Sequence, residues 1–208
     1  MKARTKEALE LARNWWKAKT VPEYVKVLPL KPEELAGFVD LYNRCFLAAP
    51  DPFRMLSLED AQKLNPEGIF VARLWGTLAG FIACFVQRGD QSVYGEITGI
   101  GVLPSRRRKG VATALIQRAV EYFIASGVEE VYCEIYEENL PSKLLVMTYG
   151  FREIGRREIP AEGESAERPD DRHPGGKIMR RLGLRPATGY HPDARTERGS
   201  GHVIPEDE

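Results

Sequence analysis

The densest chemistry in the sequence lies at residues 101–116, GVLPSRRRKGVATALI, where Arg106, Arg107, Arg108 and Lys109 stand in a row. Thirty basic residues balance thirty acidic ones in this chain. Zero net charge argues against bulk affinity for nucleic acid or membrane, so the run needs a local reason. Three readings compete: a solvated turn, a nucleic-acid contact, and a loop shaped to hold phosphate. Other reactive residues are sparse. Cys45, Cys84 and Cys133 lie far apart, each inside an apolar segment and without C-x-x-C spacing. They read as core residues rather than a disulfide framework, zinc site or nucleophile. His173, His191 and His202 all fall in the polar C-terminal quarter, which disfavours a metal cluster or a Ser-His-Asp centre in the core. No metal is expected.

What surrounds the basic run sharpens the choice. The local order is strand, glycine-rich strand end, cationic turn, helix. This order leaves the N–H groups of residues 109–113 at a helix N-terminus, where the macrodipole also favours an anion. Gly110 and Ala112 keep side chains out of the way, and arginine forks suit phosphate oxygens. The G-x-x-x-x-G-K-[ST] pattern of a nucleotide P-loop is absent. A nucleic-acid contact calls for interleaved aromatics or a wider basic field, and neither occurs near residues 101–116.

The elements that must position this turn follow from periodicity and punctuation. Residues 3–19 read as a helix whose adjacent Trp15 and Trp16 call for packing on the domain or a partner. YVKVLPL is a short strand, and Pro32 opens a helix with Leu35, Phe38, Val39, Tyr42 and Phe46 on one side. SLEDAQKLN reads as a short helix capped by Ser57. GIFVARLWGTLAGFIACFV is a hairpin turning near Gly76, and SVYGEITGIGVLP adds a third strand. Gly95, Gly99 and Gly101 there signal a bulge or a close approach by another backbone or ligand. Residues 110–125 form the clearest helix, with Val111, Ala112, Leu115, Ile116, Ala119, Val120 and Phe123 on its apolar face, and Ser126-Gly127 stops it. EVYCEIY follows as a strand, so a parallel crossover is expected. A helix at about 140–149 and the strands FREIGRREI and GKIMRRLGL complete the core. The polar Gly- and Pro-rich residues 160–176 read as a mobile loop.

At this point the chain resembles a known family. Arg107-Arg108-Lys109-Gly110-Val111-Ala112 is similar to the [QR]-x-x-G-x-[GA] acyl-CoA motif of the GCN5-related N-acetyltransferase (GNAT) superfamily, and Val102-Leu103-Pro104 to its preceding V-x-P. CEIYEENLPSKLLVMTYGF resembles the family's strand–Asn–helix–Gly-Phe block, with Asn139, Gly150 and Phe151 at the expected spacing. The resemblance implies an α/β (α+β) fold: a mixed, mostly antiparallel central sheet, splayed parallel central strands and flanking helices. It implies acetyl-CoA as acyl donor, lying in the splay. The backbone of Ile100, Gly101 and Val102 would then pair with the pantetheine arm. Arg107, Arg108, Lys109, Gly110, Val111, Ala112 and Thr113 would wrap the pyrophosphate, and Asn139 would reach the pantetheine region. Asn139 is also a good helix N-cap with Pro141 in the first turn, and the two roles can coexist.

The implied reaction is direct acyl transfer to a primary amine. At pH 7, deprotonating an amine of pKa about 10.4 costs roughly 4–5 kcal/mol, so a nearby carboxylate is useful. Two candidates stand out by resemblance. Glu96 precedes Arg107 on the glycine-rich strand, similar to the base of the histone-acetylating branch. Glu134 precedes Asn139, similar to that of the ribosomal-protein N-terminal branch. Glu96 could instead simply face solvent, and Glu134 could instead pair with an arginine. One position departs from the family: where many members carry a thiolate-protonating tyrosine, this chain has Val146, with Tyr149 a turn further on. A thiol pKa near 8.5 puts protonation of the leaving thiolate at only about 2 kcal/mol at neutral pH, so a general acid is dispensable.

The expected organisation is an N-terminal helical extension at 1–22, one acyltransferase domain at 23–184 and a flexible tail at 185–208. No stretch approaches the roughly 18 apolar residues of a membrane span, and the N-terminus lacks a signal-peptide core. A cytoplasmic protein is therefore expected. Its partners would be acyl-CoA and an amine acceptor, with no nucleic acid, no membrane, and a homodimer left open. FLAAPDPFRMLSLED and the loop after Ile159 would shape the acceptor pocket, where Asp51, Glu59 and Asp60 either attract a cationic amine or are solvated loop acids. The competing reading keeps the acyl-CoA site and drops catalysis, leaving a regulatory module.

Overall fold

The computed structural model describes residues 20–47, 54–88, 93–128, 130–159 and 177–184. The expected N-terminal helix at 3–19, the loop 160–176 and the tail 185–208 lie outside these residues. Seven strands make one sheet in the order β1-β2-β3-β4-β5-β7-β6. They are β1 (Val25–Pro29), β2 (Ile69–Leu74), β3 (Thr77–Arg88), β4 (Val93–Val102), β5 (Glu130–Tyr136), β6 (Arg152–Ile159) and β7 (Lys177–Leu184). Neighbours are antiparallel except β4 and β5, which are parallel. The sheet is therefore mixed and mostly antiparallel, as expected.

Helices cover both faces. A 3-10 turn at Pro32–Glu34 leads into α1 (Leu35–Leu47), followed by α2 (Leu58–Gln62). Ser57 caps α2 by accepting the Asp60 N–H at 3.0 Å. On this side Phe38, Leu41 and Cys45 pack against Val71 and Phe81. The opposite face carries α3 (Val111–Ala125) and α4 (Leu140–Thr148). There Leu115, Ala119 and Phe123 join Val146 and Tyr149 against Ile82, Ile97, Cys133 and Ile135. Of the apolar stripe read from the α3 sequence all but Ala112 is buried; Ala112 is half-buried, and Ala114 is buried in addition. All three cysteines are free and buried.

One irregularity organises the site. Cys84 pairs with Ile97 but Ala83 pairs with Gly99, so Thr98 is an extra residue in β4. Such a bulge shifts the alternation of side chains between faces. The glycines report the shift directly. A Cβ on Gly95 would strike the Phe123 ring of α3 at 2.5 Å, whereas one on Gly101 would strike Phe81 at 2.5 Å and Cys45 of α1 at 2.8 Å. The two positions have the same parity along the strand but face opposite sides. Only the inserted Thr98 between them reconciles this.

The bulge also coincides with the end of the parallel ladder. β4 and β5 pair from Tyr94↔Glu130 to Ile97↔Cys133 and no further. Beyond that point β4 stays on β3 as far as Gly80↔Val102, and β5 stays on β7 as far as Tyr136↔Met179. Thr98–Val102 and Glu134–Tyr136 therefore flank a wedge in the sheet, its vertex at the bulge. These are the splayed parallel central strands.

Candidate active site

Backbone parity decides which groups border the wedge. Leu103 donates its N–H to Ala79 of β3 at 2.9 Å. In extended chain the polar groups two residues back point the same way, so the Gly101 N–H and C=O also face β3. Those of Ile100 and Val102 face the wedge. The Val102 carbonyl accepts Arg107 Nε at 3.2 Å. Of the three residues expected to pair with a pantetheine arm, Ile100 and Val102 are thus oriented to do so. Gly101 matters for another reason: no side chain fits between β4 and the Phe81–Cys45 layer.

The cationic turn lies at the wide end of the wedge. Pro104–Arg106 form a 3-10 turn, Arg107 is extended at φ −66° and ψ 160°, and Gly110 caps α3 at φ 79° and ψ −1°. Arg108 is held at φ 60°, a left-handed conformation that costs a non-glycine residue about 1–2 kcal/mol. Left-handed residues alternating with others turn successive N–H groups into one concavity, an anion nest. Gly110 supplies no side-chain cap, and Ala114 N–H makes the first intrahelical bond, to the Gly110 carbonyl at 3.0 Å. The N–H groups of Val111, Ala112 and Thr113 consequently stand at the open end of a fifteen-residue helix. Lys109 projects sideways, its Nζ 5.3 Å from the centre of the Trp75 ring. Helix dipole, free N–H groups and guanidinium charge all favour a diphosphate there.

The two glutamates meet at the vertex. Gly95 and Ile97 face α3, so Glu96 between them faces α1. Cys133 and Ile135 are buried in the α3-side core, so Glu134 faces α1 as well. Glu96 is in register with Tyr132, two residues before Glu134, which puts the two Cα atoms roughly 8 Å apart from strand spacings. Both are half-buried. Cys133, at the last rung, feels both: burial chiefly, then Glu134 and Glu96, push its thiol up to about 12.

The helix after the wedge, α4, opens at Asn139. Asn139 is buried, and its Oδ1 accepts the Ser142 N–H at 3.1 Å, so it is the N-cap of α4. Val146 and Tyr149 are each only 2 % exposed and belong to the α3-side core. Burial raises the Tyr149 phenol pKa, and the Thr113 hydroxyl beside it offsets part of that rise. Tyr149 thereby links the end of α4 to the first turn of α3.

Sequence reasoning missed the surroundings of the vertex. Glu96 lies beside Phe85 on β3 and Tyr132 on β5. Tyr94 meets Tyr132 edge-on, with ring centroids 5.9 Å apart. Tyr94, Glu96, Tyr132 and Glu134 alternate with buried small or apolar residues, a legible period of two, but placing them together required the parallel register. Asn43 was missed too. Its amide is buried in α1, where it donates to the Leu56 carbonyl at 3.0 Å and accepts the Leu56 N–H at 2.8 Å. It fastens the approach to α2 beside the site. Of the acids considered for drawing in an amine, Glu59 pairs with Lys63 at 2.8 Å and Asp60 accepts from the Ser57 hydroxyl at 2.8 Å. Both belong to α2's own capping and surface pairs, and Asp51 lies outside the described residues. Among the described residues no group of His, Cys, Asp and Glu could hold a metal ion.

Comparison with known proteins places the fold. Residues 35–151 match the Acetyltransferase (GNAT) family, and the chain belongs to that family. Its general chemistry is acetyl transfer dependent on acyl-CoA. An N-alpha-acetyltransferase of Sulfurisphaera tokodaii is 29% identical over 58% of this chain and 78% of its own length. A mycothiol acetyltransferase of Clavibacter michiganensis is 27% identical over 72% of this chain and 52% of its own length, so the match spans about half of that relative. The NatC complex bound to Gag peptide and CoA contains a chain that superposes with a TM-score of 0.61, at 18% identity over 77% of this chain and 98% of that one.

Proposed function

We propose that the protein is an N-acetyltransferase that moves the acetyl group of acetyl-CoA directly to a primary amine. One observation carries this reading: the β4–β5 ladder ends at Ile97↔Cys133, and the two glutamates sit on one face at that vertex. An acyl-CoA would lay its pantetheine arm along Ile100 and Val102, with its diphosphate on Arg107–Thr113. The thioester would then reach the vertex beside Glu96.

On this reading Glu96 takes the proton from the acceptor ammonium, directly or through water, and the free amine attacks the thioester carbonyl. Glu134 contributes negative potential that draws the ammonium in. Phe85, Tyr94 and Tyr132 narrow the approach and reduce water around Glu96, which strengthens each charge interaction. The leaving thiolate collects a proton from solvent, because Val146 replaces the family tyrosine and Tyr149 is occupied in the core. Asn139 serves α4 as its cap. The protein acts in the cytoplasm; among the described residues no helix is long and apolar enough to cross a membrane.

The test is a screen of small amines, peptides with free N-termini and lysine peptides for release of CoA from acetyl-CoA. With the best acceptor, Glu96→Gln is expected to lower kcat by about 10²–10⁴-fold, the usual contribution of general base catalysis, with unchanged acetyl-CoA affinity. Tight acetyl-CoA binding with no turnover on any acceptor would favour the regulatory alternative.

A further inference from the structure

The β2–β3 hairpin is closed by the two-residue turn Trp75-Gly76, with φ of 49° and 82°. Turns with both φ values positive match the twist of the flanking strands and ordinarily take Asn, Asp or Gly in first position. A tryptophan there is sterically disfavoured. Burial does not offset the strain, since Trp75 is 61% exposed. The turn is nonetheless firmly braced. Arg73 Nη1 donates to the Gly76 carbonyl at 2.9 Å, and the Thr77 hydroxyl donates to the Leu74 carbonyl at 2.9 Å.

The surroundings suggest what the strain serves. Trp75 N–H donates to the Tyr24 carbonyl at 3.1 Å, and the two rings lie 5.1 Å apart at 31°. Tyr24 is itself 42% exposed. Lys109, from the cationic turn, stands over the Trp75 ring. Pro22, just ahead of β1, closes the gap to Gly110, with its Cδ 2.8 Å from where a Cβ there would lie. An exposed aromatic shelf with a cation over the Trp75 ring thus adjoins the anion cradle.

We propose that Trp75, supported by Tyr24 and Lys109, is the platform on which the adenine of acyl-CoA stacks. The inference rests on acyl-CoA binding as proposed above. The adenine is joined to the diphosphate through a single ribose, so a base leaving the cradle on this side meets the shelf. Its 3′-phosphate adds an anion within reach of Lys109. Stacking on an aromatic ring tolerates an open, solvent-facing site, because the base contributes a π-face and not a buried volume.

The experiment compares acetyl-CoA with S-acetyl-4′-phosphopantetheine, which lacks the adenosine 3′,5′-bisphosphate, by calorimetry on the wild-type chain and on Trp75→Asn. Asn suits the left-handed turn position, so this variant is expected to fold with an unchanged or higher Tm. It should weaken acetyl-CoA binding at least about fivefold, the lower end of a single base stack, and leave the truncated ligand unaffected. Trp75→Phe should retain most of the affinity. Equal acetyl-CoA affinity in wild type and Trp75→Asn overturns the shelf while acyl-CoA binding stands. Equal weakening toward both ligands also overturns it, because Trp75 then only supports the loop. Failure of the wild-type chain to bind either ligand overturns the acyl-CoA reading itself.

Discussion

Gly110 gives the sharpest test of the phosphate cradle, because two substitutions there share one structural cost and differ in a single charge. Its φ of 79° lies in the left-handed region, where a Cβ costs about 1–2 kcal/mol. That Cβ would also lie 2.8 Å from Pro22 Cδ, so Pro22 must give way. Gly110→Ala should therefore lose roughly 2–8 °C in Tm, using about 2–4 °C per kcal/mol for a chain of this size. Gly110→Glu bears the same penalty and adds a carboxylate at the helix N-terminus. At about 5 Å from a phosphate charge and an effective dielectric of about 20, the repulsion is about 3 kcal/mol per charge, roughly a hundredfold in affinity. Calorimetric titration with acetyl-CoA should show Gly110→Glu binding about a hundredfold more weakly than Gly110→Ala, with the gap narrowing as salt is raised. Equal affinities in the two variants, at low salt, would refute the placement of the diphosphate on this helix.

Glu134→Gln is the control for Glu96→Gln: it should raise KM for a cationic acceptor more than it lowers kcat, read from initial rates across acceptor concentrations. Tyr149→Phe should retain nearly full kcat, since the ring stays packed and the hydroxyl meets Thr113 in the core; a loss of about a hundredfold with binding intact would restore Tyr149 as general acid. Burial pushes Cys45, Cys84 and Cys133 up to about 12, so at pH 8 only about one thiol in ten thousand is thiolate. A disulfide reagent at that pH should label none of the three in the native protein within minutes and all three after denaturation, with native labelling rising as pH increases.

Much of the scaffold was legible from residues alone because it rests on local rules. The apolar spacing of α3, the Ser57 and Asn139 caps, the turn near Gly76 and the stop at Ser126-Gly127 each express a preference of a few neighbouring residues. The glycines of β4 signalled a bulge or a close approach by backbone or ligand; a bulge is present, at Thr98 among them, while the groups against Gly95 and Gly101 are side chains, Phe123 and Phe81. The run Arg106–Lys109 followed by Gly110 pointed to the proposed anion site for the same reason: a helix N-terminus and its flanking charges are contiguous in sequence.

The rest depended on which strands become neighbours. Nothing local in Glu96 or Glu134 says that they share a face; that follows from the parallel register of β4 with β5 and from Thr98, which shifts the alternation between Gly95 and Gly101. The same bulge turns the Gly101 carbonyl toward β3 and leaves the wedge to Ile100 and Val102. Tyr149 could be placed on a helix from sequence, but its burial beside Thr113 required α4 to pack on α3. Trp75 and Lys109 are more than thirty residues apart, and only the return of the chain past the β2–β3 hairpin brings the ring under the cation. Local propensity determined the elements and their ends. Pairing between distant strands, which depends on burial and register rather than on any one residue, decided the site.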